Sequence, residues 1–241
     1  EFVLRDLSPT PEDDGTWCIP YTPSDRRRVH NASLLGAELL VRVAHKTGER
    51  ALIERAIPAI RFTLARQHED GAWFYGEWRE GEPYERGILQ YVDHFHTGFV
   101  LRSLHGIAEA LPEADAALRD ECNAALKKGF AYYKEHLHTG AYFQPVNHYA
   151  AWPVDIHMCA ESLLCPSVVK DYVLIARGMA PLCLKWAHWF MRDHATDLPY
   201  YRMYRRFTSR IAFPRWGIAW MYYALAEYLY AHRDLLESGA E

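Results

Sequence analysis

The chain has 241 residues and a formal net charge of −4 at neutral pH, with ordinary shares of hydrophobic and charged residues. This charge leaves no basic surface of the kind that binds nucleic acid, so the composition excludes a nucleic-acid partner. No stretch of about twenty residues is free of charge, which excludes a transmembrane helix. The five cysteines contain no C-x-x-C pair, which favours buried free thiols in a reducing, cytoplasmic compartment over a disulfide framework.

Four segments of the chain share one order of features: an apolar helix end, a turn, an aromatic stretch, a polar loop and a new apolar helix. The turns with their aromatic residues lie at 14–17, 70–73, 139–142 and 197–200, and only the last lacks a glycine. The helix starts that follow lie at Asn31, Asp93, Asp155 and Arg215, at intervals of 62, 62 and 60 residues. Such regular spacing predicts a repeat protein.

The apolar residues between these landmarks have helical periodicity and predict paired helices. The first seven residues look like the tail of an outer helix. The helices that follow are predicted over 31–47, 49–67, 95–110, 115–137, 156–164, 167–192 and 214–231. Gly48 is a C-terminal signal for the first of these, Pro58 predicts a kink in the second, and Cys165–Pro166 predicts the break between the fifth and the sixth. Little sheet is expected.

A single helical hairpin cannot cover its own apolar face, so such units stack on their neighbours. The helices that begin near the four landmarks are apolar around most of their circumference, which is typical of helices buried on all sides. We therefore predict one all-α domain over 1–241, an (α/α) toroid or incomplete (α/α)6-type barrel of about four hairpins. Two explanations of the low hairpin number stay open. The chain is a fragment that lacks N-terminal hairpins, or it is an arc that a partner copy closes as a homo-oligomer.

Two groups of motifs resemble those of known toroid proteins. Phe62, Gln67, Gly71 and Trp73 resemble the glutamine–tryptophan motif of terpene cyclases and prenyltransferases, with a spacing that differs by one residue. The runs 67–77 and 93–101 are similar to a bacterial toroid family found among polysaccharide-biosynthesis genes, which is related to the C-terminal domain of glucuronyl C5-epimerases; 21–25, 31–33 and 215–221 fit the same family. This resemblance implies an (α/α) toroid linked to bacterial glycans, and it assigns no catalytic residue.

In such a ring the helix starts and their preceding loops meet at one mouth, where helix N-termini favour anionic groups and aromatic side chains stack on sugars. The polar residues at the helix starts are the catalytic candidates: Asp93, His94, His96, Asp155 and His157. The aromatic and polar residues around them are the substrate-binding candidates: Trp17, Asn31, Trp73, Tyr75, Glu77, Tyr142, Tyr149 and Arg215.

Two kinds of sugar chemistry fit these residues. Hydrolysis of a glycoside needs two carboxyl groups, for which Asp93 and Asp155 are the natural pair with Glu77 in reserve. Epimerisation or elimination at C5 of a uronate needs a base, a stabilising cation and often a Tyr or His acid. His94, His96, His157, Tyr149 and Arg215 supply these residue types.

A structural explanation competes with these chemical ones. Asn31, Asp93 and Asp155 are suitable helix N-caps, each contributing about 1 kcal/mol. Capping does not explain why an Asp is followed closely by a His in two repeats. The spacings Asp93-x-x-His96 and Asp155-x-His157, with Cys159, match no strong zinc pattern, so neither a metal nor a cofactor is expected.

The sequence therefore predicts a carbohydrate-active protein that acts on a bacterial polysaccharide, an oligosaccharide or a precursor, more readily through a uronic acid than through a neutral sugar. A non-catalytic glycan-binding or polysaccharide-assembly protein is the first alternative. A terpene-cyclase or prenyltransferase-like toroid is the second, although its acidic D-x-D-D cluster is not matched by the only acidic run, Glu12-Asp13-Asp14.

Overall fold

The computed structural model describes residues 1–148, 150–171 and 174–234. The chain is mostly helical and divides into an N-terminal unit, Glu1–Tyr132, and a C-terminal unit, Tyr133–Glu241. The prediction of one domain over the whole chain stays a prediction. No helix in the described part is long and apolar enough to cross a bilayer.

Helix α2 is the central helix of the N-terminal unit. The helices of this unit are α1 (Phe2–Arg5), α2 (His30–Thr47), α3 (Arg50–Leu64), α4 (Arg86–Leu89), α5 (His94–Ala110) and most of α6 (Ala116–His136). Helix α2 packs against both α3 and α5. It ends as predicted at Thr47, because Gly48 takes a left-handed conformation with a φ of 78°.

Helix α7 has the same central position in the C-terminal unit. It spans Ile156–Val169 and packs against α8 (Leu174–Phe190) and α9 (Ala219–Ala231), which a π-helical turn at Pro214–Ile218 precedes. The predicted break at Cys165–Pro166 is wrong, because α7 continues through Pro166. Burial of almost every side chain of α7 offsets the one backbone hydrogen bond that proline removes.

The sheet content is small, as predicted: each strand in the described residues has only two residues. Antiparallel pairs join β1 (Thr10–Pro11) to β2 (Trp17–Cys18), β3 (Arg28–Val29) to β4 (Gly76–Glu77), and β5 (His138–Thr139) to β6 (Gln144–Pro145). A fourth group joins β7 (Val154–Asp155), β8 (Arg202–Met203) and β9 (Thr208–Ser209). In two of these groups the strand just before a helix pairs with a strand that follows the next turn.

The repeated turns share a left-handed residue. Gly15, Gly71 and Gly140 have φ values of 79°, 99° and 71°. In the fourth turn, which lacks a glycine, Asp197 takes this conformation with a φ of 60°. Aspartate adopts the left-handed region more readily than most residues, so the turn is conserved in shape without glycine.

The N-terminal ends of the helices agree only in part with the prediction. Asp93 caps α5 and Asp155 caps α7, each by accepting a hydrogen bond from a backbone N–H of its helix. The prediction that Asn31 is a cap is wrong, because the N-cap of α2 is Val29. Pairing of Val29 with Gly76 holds Val29 in an extended conformation, so α2 begins at His30 and the Asn31 side chain is free to bond elsewhere.

The burial of the four helices that begin near the landmarks, α2, α5, α7 and α9, also differs from the prediction. Most residues of α5 and α7 are buried, as expected. On α9, however, Ala224 is the one buried residue among those described, and Tyr222 and Tyr230 are 76% and 69% exposed. The five cysteines are all buried and free, which confirms the prediction of buried thiols.

Gly71 offers a test of the turn geometry. A Cβ on Gly71 would lie 2.5 Å from the backbone oxygen of Lys128 in α6, whereas a Cβ on Gly15 would meet nothing within 4 Å. We expect Gly15→Ala to lower the free energy of unfolding by about 1–2 kcal/mol through backbone strain alone. Gly71→Ala should cost at least about 1 kcal/mol more, because α6 must also shift. Denaturant titration of both variants checks this, and equal losses would contradict the close approach of α6.

Candidate active site

The candidate site of the N-terminal unit lies where α2 and α5 begin. Its small cleft has a volume of about 10 Å³, at the lower limit for a single water molecule. The residues around it that matter for chemistry are Asn31, Trp73, Tyr75, Asp93, His96 and Thr97. Five predicted site residues are thus brought together: Asn31, Trp73, Tyr75, Asp93 and His96.

Asp93 and His96 form a hydrogen-bonded pair at the start of α5. Asp93 Oδ1 accepts from the backbone N–H of His96 at 2.8 Å, and Asp93 Oδ2 lies 2.5 Å from His96 Nδ1. The three-residue spacing on the first helical turn places both groups on one side of the cap. The carboxylate therefore fixes the helix end and the imidazole ring together.

Three tyrosines surround this pair. The Tyr75 ring lies 4.3 Å from the His96 ring and 5.2 Å from the Tyr91 ring, centroid to centroid. Burial raises the pKa of Tyr75, and the neighbouring Tyr21 raises it further. Burial and the neighbouring Asp93 carboxylate raise the pKa of Tyr91, whose hydroxyl is directed toward that carboxylate.

Tyr21 is the acceptor of this group. Its hydroxyl oxygen accepts a hydrogen bond from Asn31 Nδ2 at 2.7 Å. Burial raises the pKa of Tyr21, and interactions with Asn31, Tyr75 and Arg27 offset part of that rise. The Arg27 guanidinium is held in place by Asp25, with Nη2 at 2.8 Å from Oδ2.

Glu77 is held by a buried histidine. His30 Nε2 lies 3.0 Å from Glu77 Oε1, and His30 Nδ1 lies 3.1 Å from Thr63 Oγ1. Burial acts to raise the pKa of Glu77, but the hydrogen bond and charge of His30 act against it and the pKa is lowered overall. Glu77 is therefore ionised at neutral pH and does not act as a carboxylic acid.

Two predicted tryptophans are placed for packing. Trp73 is 1% exposed, and its Nε1 donates to the Thr63 carbonyl at 2.9 Å. Trp17 is half-buried, with the Arg55 guanidinium 5.0 Å from its ring centroid. Since Trp73 is buried, it supports the cleft from behind and does not offer an aromatic face to a sugar.

His94 also differs from its predicted catalytic role. The side chain is fully buried and does not line the cleft, although it is adjacent to Asp93 in sequence. Successive residues of a helix point about 100° apart. His94 and His96, two positions apart, therefore point to roughly opposite faces. His96 faces the cleft and His94 faces the core.

The C-terminal unit contains a second Asp–His pair. Asp155 Oδ1 accepts from the backbone N–H of His157 at 2.9 Å and lies 3.5 Å from its Nδ1. Arg202 donates to Asp155 Oδ2 through Nε at 2.9 Å and Nη2 at 2.7 Å. Burial acts to raise the pKa of Asp155, but the hydrogen bonds from His157 and Arg202 lower it overall. The His157 ring lies edge-on to Trp216, 4.8 Å between centroids.

The remaining predicted residues either make no hydrogen bond to these two pairs or lie outside the described residues. Arg215 is exposed, with its guanidinium 5.3 Å from the Trp216 ring centroid. Tyr142 is 52% exposed. Tyr149 lies outside the described residues. Within residues 1–148, 150–171 and 174–234, no three His, Cys, Asp or Glu side chains are grouped as metal ligands would be.

Several site residues were not among the predicted ones: Tyr21, Arg27, His30, Tyr91 and Arg202. Tyr91 stands two residues before Asp93, and this proximity was a usable signal. Tyr21 and Arg27 lie in the loop before α2 and become site residues only because that loop folds over the helix start. The pairing of β7 with β8 places Arg202 opposite Asp155, which sequence spacing does not indicate.

Comparison with known proteins identifies the fold. No protein-family model matches the sequence, and no curated protein matches it. Among solved structures, a cellobiose 2-epimerase from Bacillus thermoamylovorans B4167 has a TM-score of 0.70 at 10% identity, over 100% of this chain and 63% of that one. The chain has the (α/α)-toroid fold.

Two further structures of the same fold class are similar. A D-mannose isomerase has a TM-score of 0.64 at 12% identity, covering 93% of this chain and 62% of that one. A GH76 α-mannanase from Bacteroides thetaiotaomicron has a TM-score of 0.66 at 10% identity, covering 97% and 61%. The chain thus spans less than two thirds of the length of each neighbour, and at these identities the likeness shows the fold alone.

The Asp155–Arg202 pair predicts a stability that depends on acid pH. The pKa of Asp155 is lowered in the folded state, so its ionised form stabilises the fold at any pH above 3.8, the ordinary pKa of an aspartate. This contribution is lost as the pH falls through the lowered pKa of the folded state. Asp155→Asn keeps a good capping side chain and removes the titration. We expect the variant to lose less free energy of unfolding than the native chain between neutral pH and about pH 3. Identical acid dependence, measured by denaturant titration, would refute the assignment.

Proposed function

We propose that the chain is a carbohydrate-active enzyme that moves a proton at a sugar carbon, with His96 as the base. The observation that carries this proposal is the 2.5 Å contact between Asp93 Oδ2 and His96 Nδ1. A carboxylate on Nδ1 selects the tautomer that has its proton on that nitrogen and stabilises the imidazolium that forms later. Nε2 is then left as the basic atom, and no described residue hydrogen-bonds to it.

Tyr21 is the proton donor in this proposal. Its oxygen accepts from Asn31 Nδ2, so its own proton is not given to that residue. Burial and an interaction of its hydroxyl with the Asp93 carboxylate both raise the pKa of Tyr91. Tyr21 and Tyr91 are both 39% exposed, but Tyr91 interacts with Asp93, so Tyr21 is the exposed hydroxyl that is left to meet a substrate.

The chemical step follows from these two groups. His96 takes the proton from a carbon next to a carbonyl or carboxylate, and the electron pair of that C–H bond moves onto the oxygen. Tyr21 then donates its own hydroxyl proton. Donation to the same carbon from the other face inverts the centre, and donation to a leaving oxygen completes an elimination. The Asn31 amide, which donates to the Tyr21 oxygen, and the Arg27 charge stabilise the phenolate in the interval.

Hydrolysis has less support from the same residues. A glycosidase needs one carboxyl group that stays protonated and a second that is ionised. The pKa values of Glu77 and Asp155 are both lowered, and Asp93 is engaged by His96. These three carboxyl groups each contact a histidine, which favours proton transfer by His and Tyr over hydrolysis.

The substrate class proposed is a uronic acid within a bacterial polysaccharide, an oligosaccharide or a precursor. Arg27 acts electrostatically on both Tyr21 and Tyr91 and supplies a cation beside them for a sugar carboxylate. An epimerase and an isomerase of sugars are among the structural neighbours, which supports chemistry at a sugar carbon. A relation to glucuronyl C5-epimerases belongs to this proposal.

The terpene-cyclase alternative receives no support from its acidic run. Glu12, the buried member of that run, is bound by Arg66 at 2.9 Å and by Arg79 at 2.7 Å. This carboxylate is engaged by two guanidinium groups of the protein and is not directed at a substrate.

Deuterium exchange tests the proposed reaction. The full chain is incubated in D₂O with cellobiose, mannose and oligosaccharides that contain glucuronate or mannuronate, and loss of a C–H signal is followed by proton NMR. Ultraviolet absorbance reports an unsaturated product. We expect exchange or elimination with one of these sugars, and a rate lowered about a hundred- to ten-thousand-fold by His96→Gln.

Two further variants separate catalysis from folding. Asp93→Asn keeps a capping side chain but removes the negative charge that faces His96 Nδ1. It should therefore lower the rate without a matching loss of thermal stability. His45→Gln, on the far end of α2, is the control and should leave the rate unchanged. Sugar binding without exchange or elimination by the native chain would instead favour the glycan-binding alternative.

A further inference from the structure

The hairpin of β8 and β9 ends in a basic and aromatic tip. The Tyr204 backbone N–H donates to the Phe207 carbonyl at 2.8 Å, and the two rings stack with 4.4 Å between centroids. Arg205 and Arg206 lie between them in sequence, and both are exposed, as is Phe207. Two cations and an aromatic ring are therefore accessible together at the end of the hairpin.

The charge of this region has one sign. The stretch 198–226 contains no Asp or Glu, and its five arginines are Arg202, Arg205, Arg206, Arg210 and Arg215. Asp155 binds Arg202 at 2.7 Å, and Asp193 lies 4.0 Å from Arg210. The other three arginines form no ion pair with any described residue, although the net charge of the whole chain is −4. Cations without a counter-charge attract an anionic partner.

Apolar side chains are exposed beside these arginines. Phe207, Ile211 and Trp216 are 63%, 58% and 50% exposed. The Phe213 ring packs on the Tyr201 ring with 4.7 Å between centroids, which holds the segment after β9 against the hairpin. Aromatic, aliphatic and arginine side chains occur together on protein surfaces that lie at the boundary between lipid headgroups and acyl chains.

The same side chains do not suit a sugar. Sugar hydroxyls are recognised by placed polar groups, above all carboxylates and amides, and 198–226 contains no Asn or Gln as well as no Asp or Glu. An anionic bilayer, in contrast, offers phosphate groups to the arginines and an apolar layer just below them to Phe207 and Ile211. A dissolved polyanion offers only the negative charge.

We propose that the β8–β9 hairpin, together with the segment between β9 and α9, binds the surface of a bilayer that contains anionic lipids. The arginines bind lipid phosphates, and Phe207 and Ile211 enter the boundary between headgroups and acyl chains. Contact of this kind requires no spanning helix. The inference goes beyond the proposed function and is independent of it, because it uses neither His96 nor Tyr21.

Vesicle binding tests this surface. The full chain is mixed with sucrose-loaded vesicles of phosphatidylcholine alone, or of phosphatidylcholine and phosphatidylglycerol in equal parts, and the bound fraction is measured after sedimentation. We expect binding to the mixed vesicles and at least about tenfold weaker binding to phosphatidylcholine alone, which carries no net negative charge. Raising NaCl from about 0.1 M to about 1 M should weaken binding to the mixed vesicles, because the Debye length falls from about 10 Å to about 3 Å.

Variants of the tip locate the contact. Arg205→Gln/Arg206→Gln should lower the affinity for mixed vesicles about tenfold or more, since each arginine at an anionic surface contributes about fivefold. Arg205→Lys/Arg206→Lys keeps both charges and should bind within about threefold of the native chain. Lys127→Gln/Lys128→Gln is the matched control, because it removes an adjacent exposed basic pair from α6 and should leave the affinity unchanged. Phe207→Ser should weaken binding about fivefold or more with no change in charge.

The substituted side chains are exposed, so the thermal melting of each variant should match that of the native chain. If a tip variant is nevertheless unstable, Arg215→Gln repeats the measurement outside the hairpin, with an expected loss of about fivefold.

Three results would overturn the inference: no binding to the mixed vesicles, equal binding to both kinds of vesicle, or an unchanged affinity in the glutamine variants. Tighter binding of dissolved polygalacturonate or single-stranded DNA than of the mixed vesicles, at an equal concentration of anionic groups, would also overturn it, in favour of a soluble polyanion. None of these results bears on the proposed reaction, which deuterium exchange tests by itself.

Discussion

The carboxylate of Asp93 is the interaction on which the N-terminal site depends. One oxygen accepts from the first turn of α5 and the other from the His96 ring, so the helix end and the imidazole are positioned by the same group. The backbone of a buried helix thus fixes the orientation of the His96 ring through Asp93. Tyr91 adds a third interaction with this carboxylate, and Tyr75 packs on the ring. A reactive group held on a rigid element in this way loses little entropy when it meets a substrate.

The short strand pairs give the helix starts their geometry in both units. Val29 pairs with Gly76 before α2, and Asp155 pairs with Arg202 before α7. The backbone arrangement is the same, but the side chains at the paired positions differ. A Cβ on Gly76 would lie 2.5 Å from the Arg28 carbonyl oxygen, so the first pair needs a glycine there. In the second pair the same register allows Arg202 to bind the capping carboxylate.

This shared backbone with different side chains explains how a repeat protein has distinct sites. Repetition preserves the apolar faces that pack hairpin on hairpin, because every repeat meets the same packing requirement. The residues at the helix starts are under no such constraint. They can diverge into a tyrosine-rich cluster beside His96 in one unit and an arginine-bound Asp–His pair in the other.

The sequence by itself determined most of the helices, the turns and the two aspartate caps, because helical periodicity, left-handed glycines and capping residues act over a few neighbouring positions. The 62-residue intervals identified Asp93 and Asp155 correctly but misplaced the cap of α2 at Asn31. Only the pairing of Val29 with Gly76, which lie far apart in sequence, decided that start.

The tertiary structure alone decided which side chains meet. It buried His94 and Trp73, continued α7 through Pro166, and brought Tyr21 onto Asn31 and Arg202 onto Asp155. Local patterns report the free energy of a segment on its own, whereas these contacts depend on burial and on groups supplied by distant loops. A site made of such contacts exists only once the chain has folded.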